Sequence, residues 1–452
     1  MDCPFSHRPS SGSVQVGFSP PGSSFFPPAA MPAVGTFPTI RHDIAGVSVA
    51  ALAKEFGTPT YVYDASKIIE RAHDLRQFDV IRFAQKACSN IAILDLVRRE
   101  GVVVDAVSAG EIHRALAAGY KAGGQHSEIV YTADIFDREA LELVLKLDLH
   151  VNCGSPDMID QLGERAPGKS ITLRINPGFG HGHSQKTNTG GEQSKHGIWH
   201  AQLDDCLRRA DRHGLMITGI HMHIGSGTDL EHLAQVCGAL EKTVQVVGRS
   251  VTNISAGGGL PIPYHDKQTY VDLEQYFKLW DATRKRLEGS LGHKLTLEIE
   301  PGRYLVAESG YLVSEIRAIK QMGDNTFYLL DAGFNNLARP ILYGAYHPMS
   351  VVPRDGAATR QSHDVVVGGP LCESGDIFTQ EEGGFVCKRS LPVASVGEYL
   401  VLERAGAYGF VMASNYNSKP YAAEVLIKNG QPHLIRARQT FEDLIRGEKI
   451  PS

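Results

Sequence analysis

From residue 77 to about residue 303, short apolar runs alternate with stretches whose apolar positions recur at helical spacing. The runs are 80–85, 102–107, 129–132, 149–153, 171–176, 217–224, 251–255 and 295–300. Most are rich in Val and Ile and bounded by Gly, Ser or Pro, the pattern of strands covered on both faces. Between them, 89–99 places Ile93, Leu96 and Val97 on one helical face, and 110–118 does the same with Ile112, Ala115 and Leu116. Residues 138–146, 201–213, 230–247 and 271–287 give further helical patterns. Eight strands alternating with helices over this length predict a parallel (β/α)8 barrel, a fold of roughly 250 residues.

After about residue 309 the texture changes. Runs at 328–330, 365–367, 399–402 and 424–427 lie between turn signals such as Lys428-Asn429-Gly430, and helical spacing returns only at 440–446. This predicts a mostly β domain over 309–452, joined by 41–76, in which 59–63 reads as a strand of the same sheet. Residues 1–40 are rich in Ser, Pro, Gly and Phe without periodicity, which predicts a disordered extension. They lack a basic segment followed by an apolar core, so a secretory signal is not indicated.

Composition narrows the class. Of 452 residues, 42% are hydrophobic and 21% charged, enough apolar material for two large domains. A net charge of −5 gives no basic excess for nucleic acid. No apolar run approaches the ~18 residues of a membrane span. The seven cysteines are scattered, odd in number and without a C-x-x-C pair, as expected of reduced thiols in a cytoplasmic protein.

A barrel presents its chemistry at the C-terminal ends of its strands. Lys86 follows the first run, and a lysine in an apolar mouth has a lowered pKa that frees its amine for Schiff-base chemistry. Gly257-Gly258-Gly259 follows the seventh run. Bare backbone there would admit an anion, with a helix N-terminus beyond to add its dipole, although a tight turn explains the glycines equally well. Glu300 ends the eighth run, either as a carboxylate paired with a neighbouring arginine or as one facing the nitrogen of a coenzyme ring. His221 and His223 stand two apart, on one side of a strand, but no third ligand has the spacing of a metal site. Residues 178–197 form a long polar loop that reads as a lid; its His181 and His183 read as solvated.

Four segments carry a more specific signal: Phe83-Ala84-Gln85-Lys86-Ala87-Cys88-Ser89-Asn90, His221-Met222-His223-Ile224-Gly225-Ser226, Glu300-Pro301-Gly302-Arg303 and Cys372-Glu373-Ser374-Gly375-Asp376. In this order the chain resembles the fold-type III pyridoxal-phosphate decarboxylases, within them the bacterial diaminopimelate decarboxylases, from about residue 58 to about residue 445. The resemblance implies an alanine racemase-like barrel plus β domain, with pyridoxal 5'-phosphate held by Lys86. It further implies that His223 stacks on the ring and Glu300 meets its nitrogen. Gly258, Gly259, Gly302 and Arg303 would surround the phosphate side, with Ser226 assisting, and Tyr408 would touch coenzyme and substrate. It implies a head-to-tail homodimer in which Cys372 and Glu373 cross to the neighbouring site, Cys372 as general acid. For Cys372 a small buried hydrophobe is the alternative reading.

Substrate choice turns on arginine. Ornithine and arginine decarboxylases share the scaffold, so Lys86 and His223 do not discriminate. A substrate with a second amino-acid end asks for a guanidinium fork. Arg303, Arg339 and Tyr343 match the family's ligands for that far carboxylate, and Glu373 would take the distal ammonium; a salt bridge is the alternative for Arg339. The expectation is decarboxylation of meso-diaminopimelate to lysine. The rivals are a decarboxylase of another basic amino acid, a racemase, and an inactive regulator, the last opposed by the intact setting of Lys86.

Overall fold

The computed structural model describes residues 37–124, 127–180, 190–223 and 229–451. The expected extension lies outside them apart from residues 37–40, as do Ser226, His181 and His183.

All eight expected barrel strands form. They are Val80–Ala84, Val103–Ala106, Ile129–Ala133, His150–Cys153, Ser170–Asn176, Met216–His221, Asn253–Ser255 and Thr296–Ile299. Each pairs in parallel with the next; the eighth pairs with the first, which closes the barrel. Helices cover the outside, several capped at their N-termini as the sequence dictates. Asn90 accepts from the Ala92 amide ahead of helix Ile91–Arg99, and Ser108 from the Glu111 amide ahead of Ala109–Ala117. Helix Pro156–Arg165, with Met158, Ile159 and Leu162 buried, was not anticipated.

No helix begins at the glycine triplet; the next is Leu273–Leu291, where the sequence predicts one over 271–287. Pro261 and Pro263 follow Gly259 closely, and proline disfavours helical backbone at the residue before it and removes a donor.

The second sheet is built around one long strand, Gly310–Met322, which pairs antiparallel with Thr60–Asp64, Asn325–Leu330 and Tyr399–Leu402. Thr60–Asp64 also lies parallel to Ala423–Lys428, so the early strand does join the late sheet. Ile44, Val49, Leu52, Val62, Val313, Val401 and Val425 form a separate cluster on this sheet. A contact with direct bearing on the site is made by the Tyr408 amide, which donates to the Ala87 carbonyl at 2.8 Å and ties the late unit to the turn carrying Lys86.

Candidate active site

Lys86 sits in a single 3-10 turn, Gln85–Ala87, immediately after the first barrel strand. It lines a cavity with Asp105, Arg174, His221, His223, Gly258, Gly259, Glu300, Gly302, Arg303 and Tyr408. The mouth is therefore polar and charged rather than apolar, and Lys86 is exposed in it, contrary to expectation. Its ammonium makes no hydrogen bond or ion pair among the described residues. An amine with no partner among the described residues, lining one cavity with these polar groups, is placed to react with a carbonyl.

Below it, Glu300 is buried, and burial alone would push its pKa up. The opposing effects win: His221 Nε2 lies 2.8 Å from one oxygen, Arg82 adds its charge, and Ser255 Oγ donates to the other oxygen at 2.9 Å. The carboxylate is held near a pKa of about 2 and is ionised throughout the working range. The partner is thus a histidine and a serine, neither of which the sequence indicated. Asp105 is pushed the other way, to about 6, by burial and then by the Glu300 charge. Glu111, whose carboxylate accepts from the Val107 amide, is raised by burial to about 7.

His223 follows the sixth strand rather than lying within it, since that strand ends at His221. Its Nδ1 accepts from the Gly258 amide at 3.2 Å. Burial, and next to it the charges of Arg174 and Lys86, hold its pKa far below the usual value, so the ring is neutral. A neutral ring with its tautomer fixed suits stacking on an aromatic coenzyme.

The glycines have a packing reason. A β-carbon on Gly257 would lie 2.6 Å from the Met222 carbonyl oxygen, and one on Gly258 2.4 Å from that of Glu300. Gly259 holds φ at +95°, where L side chains are strained. The close approach of three backbones at this corner leaves bare peptide facing the cavity.

Arg303 follows Gly302 in the short helix Arg303–Val306 and donates to the Tyr264 hydroxyl at 3.1 Å. Its guanidinium also lies 5.2 Å from the centre of the Tyr408 ring. Arg339 is buried, 4.9 Å above the Tyr264 ring, with its Nη1 2.8 Å from His347 Nε2. Burial and then the Arg303 charge push the Arg339 pKa down. Tyr343 is near enough to Arg303 to act on it electrostatically. Neither arginine has a carboxylate partner among the described residues, and Arg339 is buried, so Arg339 is not in a surface salt bridge of this chain.

Cys372 and Glu373 are not brought to this cavity. Both are exposed; the Cys372 amide donates to Asn417 Oδ1 at 2.7 Å, and Glu373 Oε2 accepts from Tyr416 at 3.4 Å. Within its own chain Cys372 is thus not a buried hydrophobe. The sequence reading missed Asp105, Tyr264 and His347. Asp105 had a usable signal, an acid inside a doubly covered strand. Tyr264 is distant in sequence from the arginines it touches, and His347, eight residues after Arg339, stands in no motif that marks it.

The cavity fits pyridoxal phosphate. It offers a free amine for the aldehyde, an ionised carboxylate for the ring nitrogen, a neutral imidazole for the ring face and bare backbone beside Gly259 for the phosphate.

Comparison with known proteins agrees with this chemistry. The family model for the pyridoxal binding domain of pyridoxal-dependent decarboxylases matches residues 65–307. The chain is 55% identical over 410 residues to the diaminopimelate decarboxylase of Escherichia coli strain K12, covering 90% of this chain and 98% of the relative. It is 53% identical over 415 residues to that of Streptomyces coelicolor, covering 92% and 94%. A crystal structure of diaminopimelate decarboxylase superposes with a TM-score of 0.85 at 56% identity, over 87% of this chain and 94% of the other.

Proposed function

Because the chain belongs to the pyridoxal-dependent decarboxylase family, we propose that it removes carbon dioxide from meso-diaminopimelate and releases lysine. Its coenzyme is pyridoxal 5'-phosphate. The observation that carries the substrate is the pair of guanidinium groups, Arg303 and Arg339, without a carboxylate counter-ion among the described residues. Two such charges beside one tyrosine are costly to bury unless an anion joins them. A substrate with an acidic group at each end provides it: one carboxylate leaves, and the other stays between the arginines.

Pyridoxal phosphate, when bound, supplies an electron sink for the pair left behind by the departing carbon dioxide. The chain's own residues prepare the reaction. Lys86 lines the cavity and offers its amine there. Glu300 keeps a negative charge where a ring nitrogen must hold its proton, and His221, Ser255 and Arg82 keep Glu300 ionised. His223 and Tyr408 border the ring space. Lys86 and Cys372 are the catalytic residues in this reading, Cys372 returning a proton to the carbon. Its place outside the cavity of its own chain supports a homodimer in which Cys372 and Glu373 reach the neighbouring site, Glu373 taking the distal ammonium. Ser226 joins the phosphate side.

The barrel, read as 77–308, carries the coenzyme, and 309–452 with 41–76 forms the β unit. No helix among the described residues is long and apolar enough to cross a membrane. The free thiols at Cys88, Cys153, Cys206, Cys237, Cys372 and Cys387 support a cytoplasmic setting.

Carbon dioxide release from purified protein, supplied in turn with meso-diaminopimelate, ornithine, lysine and a carboxylated polyamine, tests the reading. Turnover of the first should exceed the others by at least about 100-fold in kcat/KM, the worth of one buried charge-assisted contact. Faster turnover of ornithine or lysine would show a decarboxylase of another basic amino acid.

A further inference from the structure

Tyr264 is framed by three side chains from two later segments of the chain. Arg303 Nη1 donates to its hydroxyl at 3.1 Å, the Arg339 guanidinium lies 4.9 Å above its ring, and the His347 ring meets it edge-on at 5.5 Å and 79°. His347 is 1% exposed. Its Nδ1 is 2.9 Å from the Glu403 carbonyl oxygen, which can only accept, so Nδ1 carries the hydrogen. Nε2 is then a lone pair, and it accepts from Arg339 Nη1 at 2.8 Å. Burial and the Arg339 charge keep this ring neutral, which preserves the acceptor.

The consequence is geometric. Arg339 spends one of its five donors on His347, and Arg303 spends one on Tyr264. Each guanidinium is fixed at one corner and leaves its other N–H groups uncommitted to any protein carboxylate. A long side chain otherwise loses rotamer entropy when it grips a ligand, and a planar fork held in advance loses less.

We propose that Tyr264 and His347 are positioning residues that hold Arg339 and Arg303 as a preformed fork for the carboxylate retained in the product, and thereby set the preference for a substrate acidic at both ends. This rests on the substrate reading above and names the residues that enforce it. Neither residue touches the reacting carbon; both act through the arginines.

The test compares two ligands with the same five-carbon span between their amines, L-lysine, which keeps the far carboxylate, and 1,5-diaminopentane, which lacks it. Inhibition constants for both, with kcat and KM for meso-diaminopimelate, are measured on holoenzyme of wild type, His347→Phe, His347→Gln and Tyr264→Phe. In His347→Phe the KM and the lysine constant should rise about 10- to 100-fold, the loss of one hydrogen bond to a charged group. The 1,5-diaminopentane constant should stay within about twofold, kcat should change less than KM, and the coenzyme absorbance should be that of wild type. His347→Gln, whose side-chain oxygen can accept from Arg339, should recover most of the loss. Tyr264→Phe removes only a hydroxyl and should weaken lysine selectively by about 5- to 10-fold; it decides the matter if His347→Phe does not fold.

Equal weakening of both ligands, or of neither, would overturn the proposal while leaving the wild-type preference for lysine intact. A wild type that binds 1,5-diaminopentane as well as lysine would instead remove the substrate reading, and the proposal with it.

Discussion

Glu300 and Asp105 stand on either side of the strand that carries Lys86, and their environments drive them apart. Glu300, at about 2, is the fixed charge, whereas Asp105, at about 6, holds a proton well into the mildly acidic range. Divergent pKa values on paired acids separate their roles. They also give opposite pH signatures. Glu300 is depressed, so its stabilising contribution is present above the unfolded value near 4.5 and is lost as pH falls towards 2. Asp105 is raised from 3.8, so the folded state keeps the extra proton and stability declines as pH climbs from about 4 to about 6. Asp105→Asn removes that second penalty. Its melting temperature should exceed that of wild type at pH 7, and the gap should shrink at pH 4 when followed by circular dichroism. A gap of the same size at both values would mean that Asp105 is not the group being titrated. The opposed shifts were not visible in the sequence, where the one signal was an acid, Asp105, inside an apolar run.

At the scale of elements, the corner formed by Gly257 to Gly259, the end of the sixth strand and Glu300 is the tightest part of the site. A side chain on Gly258 would have to displace the Glu300 main chain, since its β-carbon would sit 2.4 Å from a carbonyl oxygen. Gly258→Ala should therefore lower coenzyme affinity at least about tenfold and stability by about 1–3 kcal/mol, measured by coenzyme titration and urea unfolding. Unchanged values for both would show that the corner yields more easily than its packing suggests. The barrel strands were legible because burial on both faces leaves continuous Val and Ile runs. Strand Gly310–Met322 was not, because its first half is mostly buried and its second half mostly exposed, so no single period describes it. Helix Pro156–Arg165 was missed although Ser155-Pro156 opens it and Met158, Ile159 and Leu162 face inward. Gly163 in its interior, where His213 packs too closely for a β-carbon, weakened the helical pattern.

For the whole molecule, the division of the site matters most. Lys86, Glu300, Arg303 and Tyr408 share one cavity, while Cys372 and Glu373 do not. Motif order in the sequence could name these residues, but within one chain Cys372 and Glu373 do not line the cavity, and the proposed homodimer is what would bring them to it. A homodimer with shared sites makes a quantitative prediction. Lys86→Ala and Cys372→Ala, each nearly inactive alone, should regain about a quarter of wild-type turnover when dissociated, mixed in equal amounts and reassociated, because half the dimers then hold one intact site. No recovery, with mixed dimers verified by native mass spectrometry, would place Cys372 in its own subunit's chemistry or outside it. The arginine fork behaves differently: Arg303, Arg339, Tyr264 and His347 belong to one chain, so each subunit sets its own preference for the substrate's far end.

The claim beneath all of these is that a single amine, Lys86, takes the coenzyme. Borohydride reduction of the holoenzyme followed by peptide mass spectrometry reads it directly. The phosphopyridoxyl mass should appear on the peptide containing Phe83-Ala84-Gln85-Lys86 and on no other; its appearance on a different lysine, or on none, would contradict the account.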